Sequence, residues 1–259
     1  MPNPAYATAH GRSLSTLGLL VLALVGAAGF MALGVWQLER RVWKLEMIQR
    51  VGDRIHADPV AVPTAAAWPE IDAAKDAYRR VRLTGRFLHD RETLVQAVTE
   101  HGGGWWVLTP LRTPQGTTIL VNRGFVSPQR RDGATRQAGN PGEVEVTGLL
   151  RMSEPAGFLR RNDPGADRWY SRDVAAIATA RGLTHVAPFF IDADGAANPG
   201  GWPIGGLTVV AFRNEHLVYA LTWFALAVMA AAVGAVVGRD EWRRRRRLNA
   251  ADAPFPSRR

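Results

Sequence analysis

Two long uncharged apolar stretches constrain this sequence more than any other feature. Leu17–Trp36 contains 20 residues and Leu217–Val237 contains 21, without a charged side chain in either. At about 1.5 Å per helical residue, each can cross the roughly 30 Å hydrocarbon core of a bilayer. The alternatives are a cleaved signal peptide for the first stretch and a buried soluble helix for the second. The length of both stretches favours two transmembrane helices, at residues 17–38 and 217–238, in contact with a lipid bilayer.

Positive charge is concentrated after the second stretch. The formal net charge is +9, and residues 239–259 alone hold eight arginines against three acidic residues. Because lysine and arginine mark the cytoplasmic ends of membrane helices, we expect cytoplasmic termini at residues 1–16 and 239–259. Residues 39–216 would then form a periplasmic domain, and the short N-terminal segment favours the inner membrane of a bacterium. The run Arg243–Arg247 follows an apolar segment directly, which favours membrane anchoring over a nucleic-acid partner.

The region 39–216 shows the alternating pattern of short strands. Val81, Leu83 and Phe87 alternate with polar side chains, which predicts a half-buried strand. Other predicted strands cover 92–99, 104–112, 117–123, 143–150, 188–192 and 207–213, with a short helix at 173–181. The predicted fold class is an α+β membrane protein: two transmembrane helices flank an extracytoplasmic domain rich in antiparallel strands, either a sheet or a partial barrel, with minor helices.

The sequence lacks the common signatures of enzymes and metal sites. It has no cysteine, which excludes disulfides, thiolate metal sites and cysteine nucleophiles. Gly102–Gly104 precedes a predicted strand and lacks the lysine of a phosphate-binding loop. No Gly-x-Ser-x-Gly motif occurs, and no two of the six histidines lie within four residues of each other. We therefore predict no catalytic residues and no enzymatic activity.

His216 directly precedes the second apolar stretch. An imidazole at the outer end of a membrane helix can ligate a metal, or a haem iron whose macrocycle lies at the membrane edge. Tyr219 and Trp223 follow at positions three and seven, near the same helix face. The alternative is an interfacial belt of His, Tyr and Trp at headgroup level, which the position alone favours.

Several short motifs follow one another in an order that agrees with the predicted topology. They are Gly34-Val35-Trp36-Gln37-Leu38-x-Arg40, Trp43-Lys44, Gly85-Arg86-Phe87, Thr109-Pro110, Leu120-Val121-Asn122-Arg123-Gly124, Asn162, Trp169, Pro203, Gly205-Gly206, Asn214-x-His216-Leu217 and Tyr219-Ala220-Leu221-Thr222-Trp223-Phe224. Together, over roughly residues 34–224, they resemble the surfeit locus protein 1 family. Two positions depart from the family pattern: Phe125 stands where tryptophan is common, and Val218 where glutamine is usual.

The resemblance implies an assembly factor for cytochrome c oxidase that binds haem a and aids its insertion into oxidase subunit I. Haem a synthase would be a further partner. His216 matches the proposed iron ligand of bacterial members, with Trp36, Tyr219 and Trp223 as candidate walls of the haem pocket. The absence of cysteine disfavours a copper-delivery role, which needs thiolate ligands. The alternative is a membrane scaffold that stabilises subunit I or haem a synthase and binds no haem.

Overall fold

The chain divides into two compact units. The computed structural model describes residues 4–251 except 138–140, 156, 158–159 and 197. One unit runs to Ile48 and resumes at Phe212, and we call it the helical unit; Gln49–Ala211 form the barrel unit. Two apolar helices at the ends of the chain and a strand-rich unit between them confirm the α+β class. The predicted boundaries 17–38, 39–216 and 217–238 concern the membrane and stay predictions.

Helix α1 extends further than the sequence predicts. It covers Pro4–His56, whereas the glycine at position 52 predicts an end near Val51. A single glycine costs only about 1 kcal/mol within a helix, so α1 passes through Gly52. The helix ends just before Asp58-Pro59, because the residue preceding a proline is disfavoured in the helical conformation. The second long helix, α4, covers His216–Ala251.

Helices α1 and α4 pack along a seam in which less exposed residues recur at alternating spacings of three and four. The seam comprises Thr16, Leu20, Ala23, Ala27, Phe30, Gly34 and Gln37 of α1 and His216, Ala220, Trp223, Ala227, Ala230, Gly234 and Val237 of α4. This spacing is typical of left-handed packing between membrane helices. The rings of Phe30 and Trp223 stack with centroids 5.7 Å apart. Near the other end, a Cβ added at Gly234 would lie 3.2 Å from that of Ala23, so the helices are antiparallel.

The small residues of α4 do not all face α1. Four-residue spacing in the sequence predicts a packing stripe of Ala227, Ala231 and Ala235, but only Ala227 is buried and the other two are exposed. The prediction is wrong for those two because the contact follows a seven-residue repeat, which replaces them with Ala230 and Gly234.

The barrel unit is built on seven strands and two short helices. They are β1 Val60–Ala61, α2 Ala73–Asp76, β2 Arg80–Phe87, β3 Thr93–Thr99, β4 Gly102–Arg112, β5 Thr118–Val126, β6 Val144–Met152, α3 Val174–Ala180 and β7 Val186–Ala193. The strand order is β1-β2-β6-β7-β5-β4-β3, and β2 also pairs with the end of β4 through Phe87 and Leu111. This extra pairing closes β2, β6, β7, β5 and β4 into a ring. The predicted sheet or partial barrel is therefore confirmed, although β1–β2 and β5–β7 pair in parallel.

Strand β5 is buried along its whole length. Val121 faces the cluster that includes Leu111, Phe189 and Ile191, whereas Leu120 belongs to a second cluster with Trp169 and Ile177 of α3. Burial on both faces explains the nearly continuous apolar run in its sequence.

The predicted strand at 207–213 is absent from the structure. Its sequence alternates as in a strand, but the segment forms no ladder with any described strand. Val209 is accordingly 84% exposed. Gly206, with φ of +74°, turns the backbone just before it. Without a neighbouring strand to accept its hydrogen bonds, the alternating pattern does not produce a strand here.

Candidate functional site

His216 is the first residue of α4 and lies on the seam, facing α1. Its ring is half-buried, and Nδ1 lies 2.7 Å from Oε1 of Gln37 on α1, a hydrogen bond between residues 179 positions apart. Because an amide oxygen only accepts, a hydrogen bond with Oε1 in this orientation requires the tautomer that carries its proton on Nδ1. Among the described residues, none forms a hydrogen bond with Nε2. In the Nδ1–H tautomer, Nε2 keeps its lone pair for another partner.

The three predicted aromatic wall residues occupy different surroundings. Trp223 lies on the seam two turns after His216 and stacks on Phe30 at an interplanar angle of 21°. Trp36 and Tyr219 are each 53% exposed, and no hydrogen bond or ring contact joins either of them to His216 in the described part of the chain. The structure therefore brings Gln37 to the histidine and leaves the two exposed rings on the outer surface of the helix pair.

Cationic and amide groups lie in the same part of the helical unit. Nζ of Lys44 is 5.2 Å from the centroid of the Phe212 ring, and the side chain of Arg213 is 89% exposed beside its partner Glu215. Oδ1 of Asn214 is a buried acceptor that no donor reaches among the described residues. A buried acceptor without a donor is costly, which makes it a candidate contact for a bound group.

The donor set suits a haem whose iron has one axial histidine. Iron needs an imidazole nitrogen that carries no proton, and Nε2 has that form in the Nδ1–H tautomer that the Gln37 contact favours. Exposed tryptophan and tyrosine rings match an apolar macrocycle, while Lys44 and Arg213 match carboxylate side groups. His216 would hold the iron, and the exposed rings of Trp36 and Tyr219 would be available to contact the macrocycle, whereas Trp223 already stacks on Phe30.

Gln37 is the site residue that sequence reasoning missed. It stands within a motif of the family resemblance, yet no role follows from the motif itself. The available signal is a polar amide that directly follows the uncharged apolar stretch of α1, since polar residues inside membrane segments are rarely without a partner. Val218, where the resemblance expects glutamine, is 65% exposed, and the hydrogen bond to the His216 ring comes from Gln37 of α1.

A second polar cluster lies in the barrel unit around Asp192. Its carboxylate, 1% exposed, accepts from Arg151 at 2.7 Å, Arg172 at 3.0 Å and Asn122 at 2.8 Å. Burial alone would lower the pKa of Arg172, but Asp192 and Glu154 outweigh it and raise that pKa above its ordinary value. Both arginines line a cavity of about 370 Å³. Since each already has a carboxylate partner, we assign the cluster to the stability of the barrel.

Arg123 is a further buried cation of the barrel unit. It lies between two cavities of about 310 and 360 Å³ and donates to Asn198 Oδ1 at 3.0 Å. Burial lowers its pKa, and the negative charge of Glu92 opposes that shift. Asn198 also donates to backbone oxygens of Arg123 and Pro203, so this group fastens the loop at 198–203 to β5.

Comparison with known proteins connects this architecture to one family. The sequence model of the SURF1 family matches residues 24–228, which include most of both long helices' facing surfaces and the entire barrel unit. The human protein named surfeit locus protein 1 is 38% identical over 226 residues, covering 80% of this chain and 73% of the human one. The mouse protein of the same name is 38% identical over 79% of this chain and 70% of its own length. A SURF1-like protein of Drosophila melanogaster is 33% identical over 86% of this chain and 78% of its own.

Proposed function

This chain belongs to the SURF1 family, and on that premise we propose that it is a membrane-bound assembly factor for cytochrome c oxidase. In this proposal it binds haem a and helps to insert it into oxidase subunit I. Haem a is its cargo, received in concert with haem a synthase, and the chain itself performs no catalysis.

Placement in a bilayer is supported by the exposed apolar surface of both long helices. Two described segments, Ser15–His56 and His216–Arg247, are long and apolar enough to cross a membrane. Leu22 and Leu24 of α1 are 68% and 71% exposed, and Val233 of α4 is 60% exposed. In water such a surface would lose the stabilisation that burial provides, about 25 cal/mol per Å². In a bilayer, the lipid tails cover this apolar surface. The basic tail then favours cytoplasmic termini, a periplasmic barrel unit and the bacterial inner membrane.

The observation that carries the haem proposal is the position of His216. It begins an apolar helix, so its ring lies where a membrane segment meets the more polar chain that precedes it. An amphipathic macrocycle fits such a boundary, since its apolar body can contact lipid and aromatic rings while its carboxylates reach cations. Lys44 and Arg213 provide cations in the same unit, and the buried oxygen of Asn214 supplies an acceptor.

The competing function is a scaffold that holds subunit I or haem a synthase without binding haem. The exposed apolar faces of α1 and α4 favour this possibility too, because they offer a surface to other membrane helices. Purification in mild detergent from cells that make haem a separates the two functions. We expect a coloured protein with the absorption bands of haem a, together with co-purified subunit I. A colourless protein that still retains subunit I would replace our proposal with the scaffold.

A further inference from the structure

The contact between Gln37 and His216 is a polar pair at one end of an apolar seam. From Leu20 to Gly34 on α1, and from Ala220 to Val237 on α4, the seam residues are apolar or glycine. Helix association needs no glutamine there, since small and apolar residues already fill the remaining positions. The pair therefore calls for an explanation specific to the histidine.

Hydrogen bonding at one ring nitrogen determines what the other can do. With Oε1 of Gln37 as acceptor at 2.7 Å, the proton resides on Nδ1, and Nε2 carries the lone pair. Were the amide turned over, its NH₂ group would donate to Nδ1, and Nε2 would carry the proton instead. Metal-bound histidines almost always donate their second N–H to an oxygen acceptor, which fixes both tautomer and ring orientation.

We propose that Gln37 is a positioning residue for His216: its amide oxygen holds the imidazole as the Nδ1–H tautomer, ready to ligate the iron of haem a through Nε2. This inference rests on the proposed function and assigns that function's ligand a partner from the other helix. The residue would not touch the cargo. It would act by limiting the ring to one tautomer and one orientation before the cargo arrives.

The helix pair supplies the precision that this role requires. Gly34 lies one turn before Gln37, and its lack of a side chain lets the Phe224 ring pack directly on α1. This close approach sets the separation of the two helices beside the hydrogen bond. A glutamine reaching across a wider gap would have more rotamers available and would hold the ring less firmly.

The first test reads the tautomer without any haem. The full-length protein, labelled with ¹⁵N-histidine in lipid nanodiscs, is compared with Gln37→Leu and Gln37→Glu at a pH where the ring is neutral. His216→Ala identifies the resonances of His216. We expect the Nδ1–H tautomer in the unaltered protein and in Gln37→Glu, and a tautomer mixture in Gln37→Leu. Gln49→Leu, an equal change at an exposed position of α1, should match the unaltered protein. An Nε2–H tautomer in the unaltered protein would overturn the inference.

The second test titrates these proteins with haem a and measures affinity and reduction potential. Loss of such a partner typically weakens metal binding about 10- to 100-fold, and we expect that loss for Gln37→Leu but not for Gln49→Leu. Gln37→Glu should retain binding but lower the reduction potential, because a carboxylate makes the imidazole a stronger donor. A merely structural role would not produce that shift.

The outcomes separate this inference from the proposed function. If haem a binds through His216 but Gln37→Leu and Gln49→Leu bind it equally, the positioning role fails and the function stands. If even the unaltered protein binds no haem a, both fail, whatever tautomer the ring adopts.

Discussion

Phe224 packs its ring directly against Gly34, where any side chain on α1 would overlap with it. The two residues lie near the polar end of the seam, beside Gln37 and His216. The absence of a side chain at Gly34 is therefore what admits the Phe224 ring to this part of the seam. Its replacement tests whether the helix pair acts as a unit.

Gly34→Ala should loosen the pairing of α1 and α4, because the added methyl group meets the Phe224 ring. Overpacking of this kind typically costs about 1–3 kcal/mol. The chain has no native cysteine, so the pairing can be measured as disulfide formation between Ala23→Cys and Gly234→Cys, whose Cβ atoms would lie 3.2 Å apart. We expect a lower cross-link yield in the Gly34→Ala background.

Gly29→Ala provides the matched control, since nothing lies within 4 Å of its added Cβ. Cross-linking in that background should equal that of the unaltered seam. A cysteine at exposed Val233 in place of Gly234 should not cross-link. Equal yields for Gly34→Ala and Gly29→Ala would contradict the described packing.

Asp192→Asn should destabilise the barrel unit. The change removes one of the two carboxylates that Arg151 and Arg172 both contact, so Glu154 alone is left to balance two arginines whose side chains are 17% and 13% exposed. Breaking a buried ion pair costs about 3–5 kcal/mol when one charge is left uncompensated. Thermal or urea unfolding of the full chain in detergent, followed by tryptophan fluorescence, measures the loss.

Glu145→Gln removes a carboxylate from an exposed ion pair and is the control for charge alone. Glu145 and Arg82 are 60% and 53% exposed and 3.9 Å apart, so this loss should stay below about 1 kcal/mol. Similar losses for both variants would show that the Asp192 cluster adds no special stability.

Topology can be tested with alkaline phosphatase, which is active only in the periplasm. A fusion after Gly116, at the turn between β4 and β5, should be active, and a fusion after residue 254 should be inactive. The reason is the concentration of arginine after the second apolar stretch. The reverse pattern of activity would place the barrel unit and the N-terminal end of α4 on the cytoplasmic side.

In the barrel unit, the sequence predicts individual strands better than it predicts how they pair. The alternation of apolar and polar residues predicts β2 and β6 correctly, because one face of each strand is more buried than the other. The parallel pairing of β5 with β7 joins residues distant in sequence, and no local pattern encodes it. Residues 207–213 are a case in which the pattern misleads. They alternate as a strand does, but no strand forms because no neighbouring strand pairs with them.

The seam of the helical unit was harder to predict for a physical reason. In a membrane helix every face is apolar, so hydrophobic periodicity does not reveal which face meets the neighbouring helix. Alanine spacing alone therefore selected Ala231 and Ala235, which are exposed. His216 was found because of its place before an apolar stretch, whereas its partnership with Gln37 depends on a fold that brings positions 37 and 216 together.

Haem content of the purified protein tests the central claim most directly. His216→Ala and His185→Ala are compared with the unaltered protein after expression in cells that make haem a; His185 is an exposed histidine of the barrel unit. We expect the absorption of bound haem a to disappear in His216→Ala and to persist in His185→Ala. Unchanged haem content in His216→Ala, or equal loss in both variants, would contradict the assignment of His216 as the iron ligand.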